Sequence, residues 1–252
     1  MSQEVLRNIC LGWILIALIL LPFLLKITQP YGRHTKNNWG PMIKNKLGWF
    51  IMEAPALFVF LYFVLIFGKI NNVLIVLATG LWCLHYFHRV VIYPFIIRTK
   101  GKKMPLIITM SGIFFNLVNG FLNGYWLAVF APVNEAGSWF YFRLVIGSLI
   151  FLAGFGINKY YDRVLIKLRN SGRNGYKIPF GGLFKHVSCP NFLGEIITWA
   201  GFFMLTFSLP ALSFFIWTIV NLVSRALDHH KWYSREFKDY PANRKAIIPR
   251  LL

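Results

Sequence analysis

Apolar runs of bilayer-crossing length alternate with basic connections along this chain. Seven runs stand out: Ile9–Ile27, Leu47–Phe67, Val73–Ile97, Leu106–Phe130, Trp139–Ile157, Asn191–Leu209 and Ala211–Leu227. Each reaches or approaches the length of a spanning helix, about 20 residues. Pro22, Pro55 and Pro94 fall inside runs and predict kinks. Ser208-Leu209-Pro210 predicts a tight turn between the last two. The connections differ in charge. Lys26–Lys46 holds five Lys/Arg, Arg98–Lys103 four, Asn158–Asn191 seven and Arg225–Leu252 seven. Gly68–Asn72 holds one and Ala131–Ser138 none. Basic loops stay cytoplasmic. The pattern therefore predicts an all-α integral membrane protein with seven transmembrane helices, N-terminus outside and C-terminus cytoplasmic. No repeat or long linker divides 1–252, which reads as a single domain.

Composition supports this class. The 252 residues are 57% hydrophobic and only 14% charged, and the mean hydropathy is +0.56. The net charge of +19 has no polar domain to carry it toward nucleic acid. Anionic lipid head groups and a phosphorylated ligand suit it better. Cys10, Cys83 and Cys189 are odd in number and far apart, so neither a disulfide framework nor a zinc site is expected. The first run has no small-residue cleavage site and reads as a retained helix.

Several polar groups sit where lipid would penalise them. Glu53 lies in the second run, and a lone carboxylate in hydrocarbon costs about 2.5–3.5 kcal/mol on insertion scales. It should face the interior with a partner, and the Tyr86 hydroxyl is a natural one. In the third run His85, His88 and Arg89 share a helical face, with Tyr86 one turn below Arg89. Structural glue between helices is the alternative role for this group. Asn158, Asp162 and Arg169 fall on one face of a helix continuing past the fifth run. An amide, a carboxylate and a guanidinium there suit a nucleotide, although a solvated, ion-paired face would look the same. Asn191 and Glu195, four apart, share a face at the start of the sixth run. Arg225, His229 and Tyr233 recur at four-residue spacing, with Tyr240-Pro241 and Arg244-Lys245 beyond; a basic membrane-surface tail is the plainer reading. No dinucleotide fingerprint, phosphate loop or zinc-protease motif is present, and six histidines are too few for a histidine-rich di-iron site. No metal is expected.

Four stretches carry a resemblance. LHYFHR (Leu84–Arg89), GINKYYD (Gly156–Asp162), IPFGGLFKHVSCPNFLGEIITW (Ile178–Trp199) and KDYPANRKAIIP (Lys238–Pro249) closely resemble the steroid 5α-reductases, the 3-oxo-5α-steroid 4-dehydrogenases. The resemblance implies a seven-helix membrane enzyme. It would bind NADPH on its cytosolic face, about 156–252, and hold substrate in about 1–130. The reaction implied is reduction of the C4–C5 double bond of 3-oxo-4-ene steroids such as testosterone or progesterone. Carried over by motif, Glu53 and Tyr86 would hydrogen-bond the C3 carbonyl. Asn158, Asp162, Arg169, Asn191, Glu195, Arg225, His229, Tyr233 and Arg244 would line the cofactor site, with Arg89 and Arg98 at basic positions beside it. Cys189-Pro190 and Asp228 depart from some members and leave substrate preference open.

Chemically, Tyr86 held by Glu53 would stabilise an enolate-like oxygen while a hydride reaches C5 and a proton reaches C4. The many cations favour NADPH over NADH. The expected partners are the steroid and membrane lipids, with no nucleic acid, and the protein is expected to be a monomer. The membrane would be the endoplasmic reticulum in a eukaryote and the inner membrane in a bacterium. Rival readings are an enoyl-CoA or polyprenol reductase of the same superfamily, a prenylcysteine-type membrane methyltransferase, and a non-catalytic sterol carrier. Ser188-Cys189, where the methyltransferases carry Arg-His, argues against the second.

Overall fold

The computed structural model describes residues 1–35, 38–69, 71–99, 101–132, 135–169 and 176–252. Lys36, Lys100 and Arg173, counted above among the loop cations, lie outside the described residues. The apolar runs become helices α1 (Gln3–Lys26), α2 (Asn45–Phe67), α3 (Val73–Ile96), α4 (Leu106–Val129), α5 (Ser138–Leu168), α6 (Pro190–Thr206) and α7 (Leu209–Glu236). Six of these are long and apolar enough to cross a membrane among the described residues. The remaining one, α6, has 17 residues and spans roughly 25 Å at 1.5 Å per residue. A short antiparallel pair, β1 (Met42–Lys44) with β2 (Lys103–Pro105), ties the start of α2 to the start of α4.

Several boundaries follow from local chemistry. Asn72 caps α3 by accepting from the amides of Leu74 and Ile75. Ser208 caps α7 through its hydroxyl, which accepts from Ala211. The predicted turn between α6 and α7 closes through Phe207, whose backbone is left-handed at φ 47°. The fifth apolar run does not stop at Ile157; α5 continues unbroken for 31 residues and carries Asn158, Asp162 and Arg163 on the same rod.

Pro94 acts differently from a simple kink. Its ring would clash with the carbonyl four residues back. The helix widens instead into a π-turn over His88–Ile92, in which the Tyr93 amide donates to the His88 carbonyl. Such turns re-aim side chains and often mark functional sites. Here the widening falls on His88 and Arg89.

Glycines set the closest helix contact. Gly147 and Gly154 of α5 face Gly194 and Gly201 of α6. A Cβ on Gly154 would lie 2.3 Å from the Thr198 nitrogen, and one on Gly194 would lie 2.4 Å from the Asn158 nitrogen. Small residues let helix backbones meet in lipid, where no hydrophobic force pulls them together. This contact places Asn158 against Asn191. Gly154→Ala is therefore expected to cost about 1–3 kcal/mol by overpacking. Gly156→Ala, whose Cβ meets nothing within 4 Å, is expected to be near neutral. Thermal melts of both variants in detergent check this; equal melting temperatures would refute the contact.

Candidate active site

A single cavity of about 1190 Å³ runs between the helices and the loop that follows α1. Single ligand pockets range over roughly 300–1,000 Å³, so this one lies just above the usual range. Its two ends differ in chemistry. One is walled by rings, including Trp13 from α1, Phe115 from α4, and Phe214 and Trp217 from α7. The other is walled by the cations Arg33, Arg98, Lys102, Arg169 and Arg225.

An ionic chain lies between the two ends. Arg89 donates from Nη2 to Glu53 Oε1 at 2.7 Å, and its Nη1 stands 3.6 Å from Glu195 Oε2. Arg89 thus joins α2, α3 and α6 through one guanidinium, whose planar fork suits two carboxylates. The ring of Trp49 lies 5.0 Å from that guanidinium. Glu195 also accepts from Trp199 Nε1 at 3.2 Å, and His85 Nε2 lies 3.2 Å from Glu195 Oε1. Tyr86, only 2% exposed, reaches the same wall. Its hydroxyl accepts from Asn119 Nδ2 at 3.2 Å, and Asn123 in turn donates to Asn119 Oδ1 at 2.9 Å. The structure thus pairs Glu53 with Arg89 and Tyr86 with Asn119, and not the two with each other. Both donors reach further than the sequence suggests: Arg89 crosses from the widened turn, and Asn119 comes from a different helix. Accepting from Asn119 leaves the single phenolic O–H of Tyr86 free to donate elsewhere.

At the cationic end, Asn158 Nδ2 donates to the Asn191 carbonyl at 2.8 Å, and Asn191 Nδ2 donates to Asp162 Oδ1 at 2.9 Å. Three residues from two separate motifs therefore form one chain. Asn158 Oδ1 is buried without a hydrogen bond and so is an acceptor left open. Arg225 packs over Tyr31 at 4.3 Å and Phe192 at 5.1 Å. Arg169 packs over Tyr176 at 5.4 Å. His229 Nδ1 meets His34 Nε2 at 2.9 Å, which fastens the loop after α1 onto α7. Tyr233 stacks under Arg33 at 4.5 Å. Arg98 lines the wall as well.

Arg244 is the exception. It is 2% exposed and does not line the cavity. Its guanidinium lies 4.9 Å over Tyr240, whose hydroxyl contacts Ser188 Oγ at 2.6 Å. The neighbouring backbone pairs Ser188 with Lys245 and Cys189 with Ala246. The tail thus braces the start of α6 from behind. Cys189 lines the wall, and burial pushes its thiol up to about 12, so it remains a neutral packing group. Among the described residues no three His, Cys, Asp or Glu gather as a metal site.

Some site residues escaped the sequence reading. Asn116, Asn119 and Asn123 are buried on α4 at spacings of three and four. Asn116 donates to the Met52 carbonyl beside Glu53 at 2.6 Å. Three amides on one stripe of an apolar helix are the signal that would have found them. Arg33, caged by Tyr176, Trp232 and Tyr233 at 4.9, 4.8 and 4.5 Å, sits in a loop and carries no such pattern.

Helices of membrane length surround one cavity that is ring-lined at one end and cationic at the other. Comparison with known proteins narrows the class. A family model described as 3-oxo-5-alpha-steroid 4-dehydrogenase matches residues 102–252. A steroid 5-alpha-reductase of Arabidopsis thaliana is 41% identical over 233 residues, covering 90% of this chain and 89% of the relative. One of Gossypium hirsutum is 37% identical over 255 residues and 98% of each chain. The 3-oxo-5-alpha-steroid 4-dehydrogenase 2 of Homo sapiens is 39% identical over 226 residues, 87% of this chain and 86% of the relative. The chain belongs to the steroid 5-alpha-reductase family of oxidoreductases.

Proposed function

We propose that this protein reduces the C4–C5 double bond of 3-oxo-4-ene steroids with NADPH. The observation that carries the reading is the position of Tyr86, Glu53 and Arg89 where the ring-lined end of the cavity meets the cationic end. A steroid body fits the ring-lined end by burial of apolar area. A dinucleotide with an extra phosphate fits the cationic end, and the open Asn158 Oδ1 and the unpaired Arg33 Nη1 suit its amide and phosphate groups. Asn158, Asp162, Asn191, Glu195, Arg225, His229, Tyr233, Arg169, Arg89 and Arg98 are the residues assigned to hold it, and Arg33 and Lys102 join them. Arg244 acts on that site only through Tyr240 and Ser188.

NADPH when bound supplies the hydride that is added at C5. The chain's own residues position and polarise the steroid. Tyr86 donates its O–H to the C3 oxygen as charge builds there. Asn119 strengthens that donor by hydrogen-bonding its oxygen, because linked hydrogen bonds polarise one another. Glu53 fixes Arg89, which holds the wall between the two ends. The rings exclude water and admit the steroid from the lipid. Seven spans, with the N-terminus outside and the C-terminus cytoplasmic, place the cationic end in the cytosol. A monomer in the endoplasmic reticulum, if the source is a eukaryote, completes the reading.

The test is NADPH oxidation by the detergent-purified protein with testosterone or progesterone, with the product identified by mass and stereochemistry. A 5α-reduced ketone is expected. NADPH binding without any steroid product would reject the substrate, and absence of NADPH binding would reject the whole reading.

A further inference from the structure

Behind Glu195, on the side away from the cavity, lies a group of titratable side chains that the proposed chemistry leaves unused. His85, His88 and Lys159 are 1%, 8% and 7% exposed. They gather around one ring. Phe155 of α5 has its centroid 6.1 Å from that of His85 and 6.1 Å from that of His88, and Lys159 Nζ lies 5.1 Å from the same ring. His85 then reaches Glu195 Oε1 at 3.2 Å and lies edge-on to Tyr86, with ring centroids 5.1 Å apart. At the outer end Arg163, one turn beyond Lys159 on α5, is exposed.

The hydrogen bonding of this group is incomplete. His85 Nδ1, His88 Nδ1, Lys159 Nζ and Glu195 Oε2 are all buried, and none has a hydrogen bond among the described residues. Buried polar atoms are seldom left unpaired, and ordered water commonly completes such atoms in proteins. An ammonium in this setting is costly to keep unless it serves the protein.

The chemistry needs such a run. Reducing an enone with NADPH consumes one proton per turnover: one hydrogen is added as hydride at C5 and one as a proton at C4. The ring-lined end excludes water, so the proton must enter by another path. We propose that Lys159, His88, His85 and Glu195, with the water their open atoms hold, form the path that brings this proton from solution to the cavity. It rests on the reductase reading above. Along the path each N–H or O–H bond that breaks is matched by one that forms on the next group. In the last step the O–H bond of Glu195, or of water held at its oxygen, breaks as the C4–H bond forms; Glu195 regains its proton through His85 and His88, and solution restores the proton at Lys159. The groups regain their starting states, and no electrons move within the path.

The charges that face the path come from several helices. Lys159 faces Glu195, Asp162, Arg89 and Glu53; His88 faces Lys159, His85, Arg89 and Arg163; His85 faces Glu195, Lys159 and Arg89. A test must therefore separate charge from proton transfer. Lys159→Met removes both. Lys159→Arg keeps the charge but does not release a proton near neutrality, because the guanidinium stays protonated.

Turnover, steroid KM, NADPH affinity and the solvent deuterium isotope effect are measured for the full-length wild type and both variants in detergent. Loss of a positioned proton donor costs at least about tenfold, and up to 10²–10⁴-fold where no water substitutes. Both variants are expected to lose about tenfold in turnover, to show a larger solvent isotope effect, and to keep steroid KM and NADPH affinity. Rescue by Lys159→Arg would overturn the path in favour of a charge effect. Wild-type turnover in both variants would overturn it outright. The wild type needs no folded variant to be informative: its isotope effect on turnover at saturating steroid should exceed unity, and a value of one counts against the path. If the wild type reduces no steroid, the reductase reading falls and the path with it; an active wild type with unaffected variants sinks the path alone.

Discussion

Tyr86→Phe is expected to lower steroid turnover by about 10²–10³-fold, the effect of removing one donor that the proposed reaction aims at a developing oxyanion. The change deletes one oxygen from a residue that is 2% exposed. The ring contacts with Trp82 at 4.9 Å and Trp199 at 5.8 Å remain, so the fold is retained. Asn119 loses its acceptor, a modest cost of about 1–3 kcal/mol for one unsatisfied buried donor. The cationic end is untouched, and NADPH affinity should stay within about twofold of wild type. Turnover falls with little change in steroid KM if the hydroxyl acts mainly in the transition state. Single-turnover kinetics together with NADPH titration by fluorescence check this. Wild-type turnover in the variant would remove Tyr86 from the chemistry.

Arg89→Met is expected to be the most damaging single change to stability. It keeps the apolar stem of the side chain but leaves Glu53 without its cation and takes one from Glu195; the two side chains are 7% and 9% exposed. Removing one partner of a buried ion pair costs about 3–5 kcal/mol, because the other charge stays buried alone. For a chain of this size that is a fall in melting temperature on the order of 10 °C. The paired variant Arg89→Met/Glu53→Gln should recover part of the loss, since the two side chains are in direct contact. Melts of the wild type, both single variants and the double variant in one detergent decide it. A single Arg89→Met variant as stable as wild type would show that the chain from Glu53 to Glu195 does not hold the helices together.

Gly154→Ala against Gly156→Ala makes the same point about the scaffold. The two glycines are two residues apart and look alike in sequence, yet only the first lies under another helix's backbone.

The sequence by itself determined the helices. Length and continuous hydrophobicity are local properties, and each apolar run became a helix, although three of them extend well past the run: α1 starts at Gln3, α5 continues to Leu168 and α7 to Glu236. The family was also legible, because its motifs are short contiguous strings read without knowing what they touch. So too were the shared face of Asn158 and Asp162 and that of Asn191 and Glu195, since residues four apart on a helix must share a face; that the two faces meet was decided by the packing of α5 on α6. Tertiary structure alone decided the pairings. The chemistry of its hydroxyl made Tyr86 a natural partner for Glu53, but hydrogen bonds across helices depend on rotation and on where α3 widens. Arg89 therefore took the carboxylate and Asn119 took the hydroxyl. Arg244 carried the motif yet lies behind the wall, because the tail folds as a brace on the start of α6. Arg33 and Lys159 showed nothing in one dimension. A cation in a loop and a lysine near a helix end look ordinary until packing buries them, and burial is a property of neighbours that the chain order does not contain.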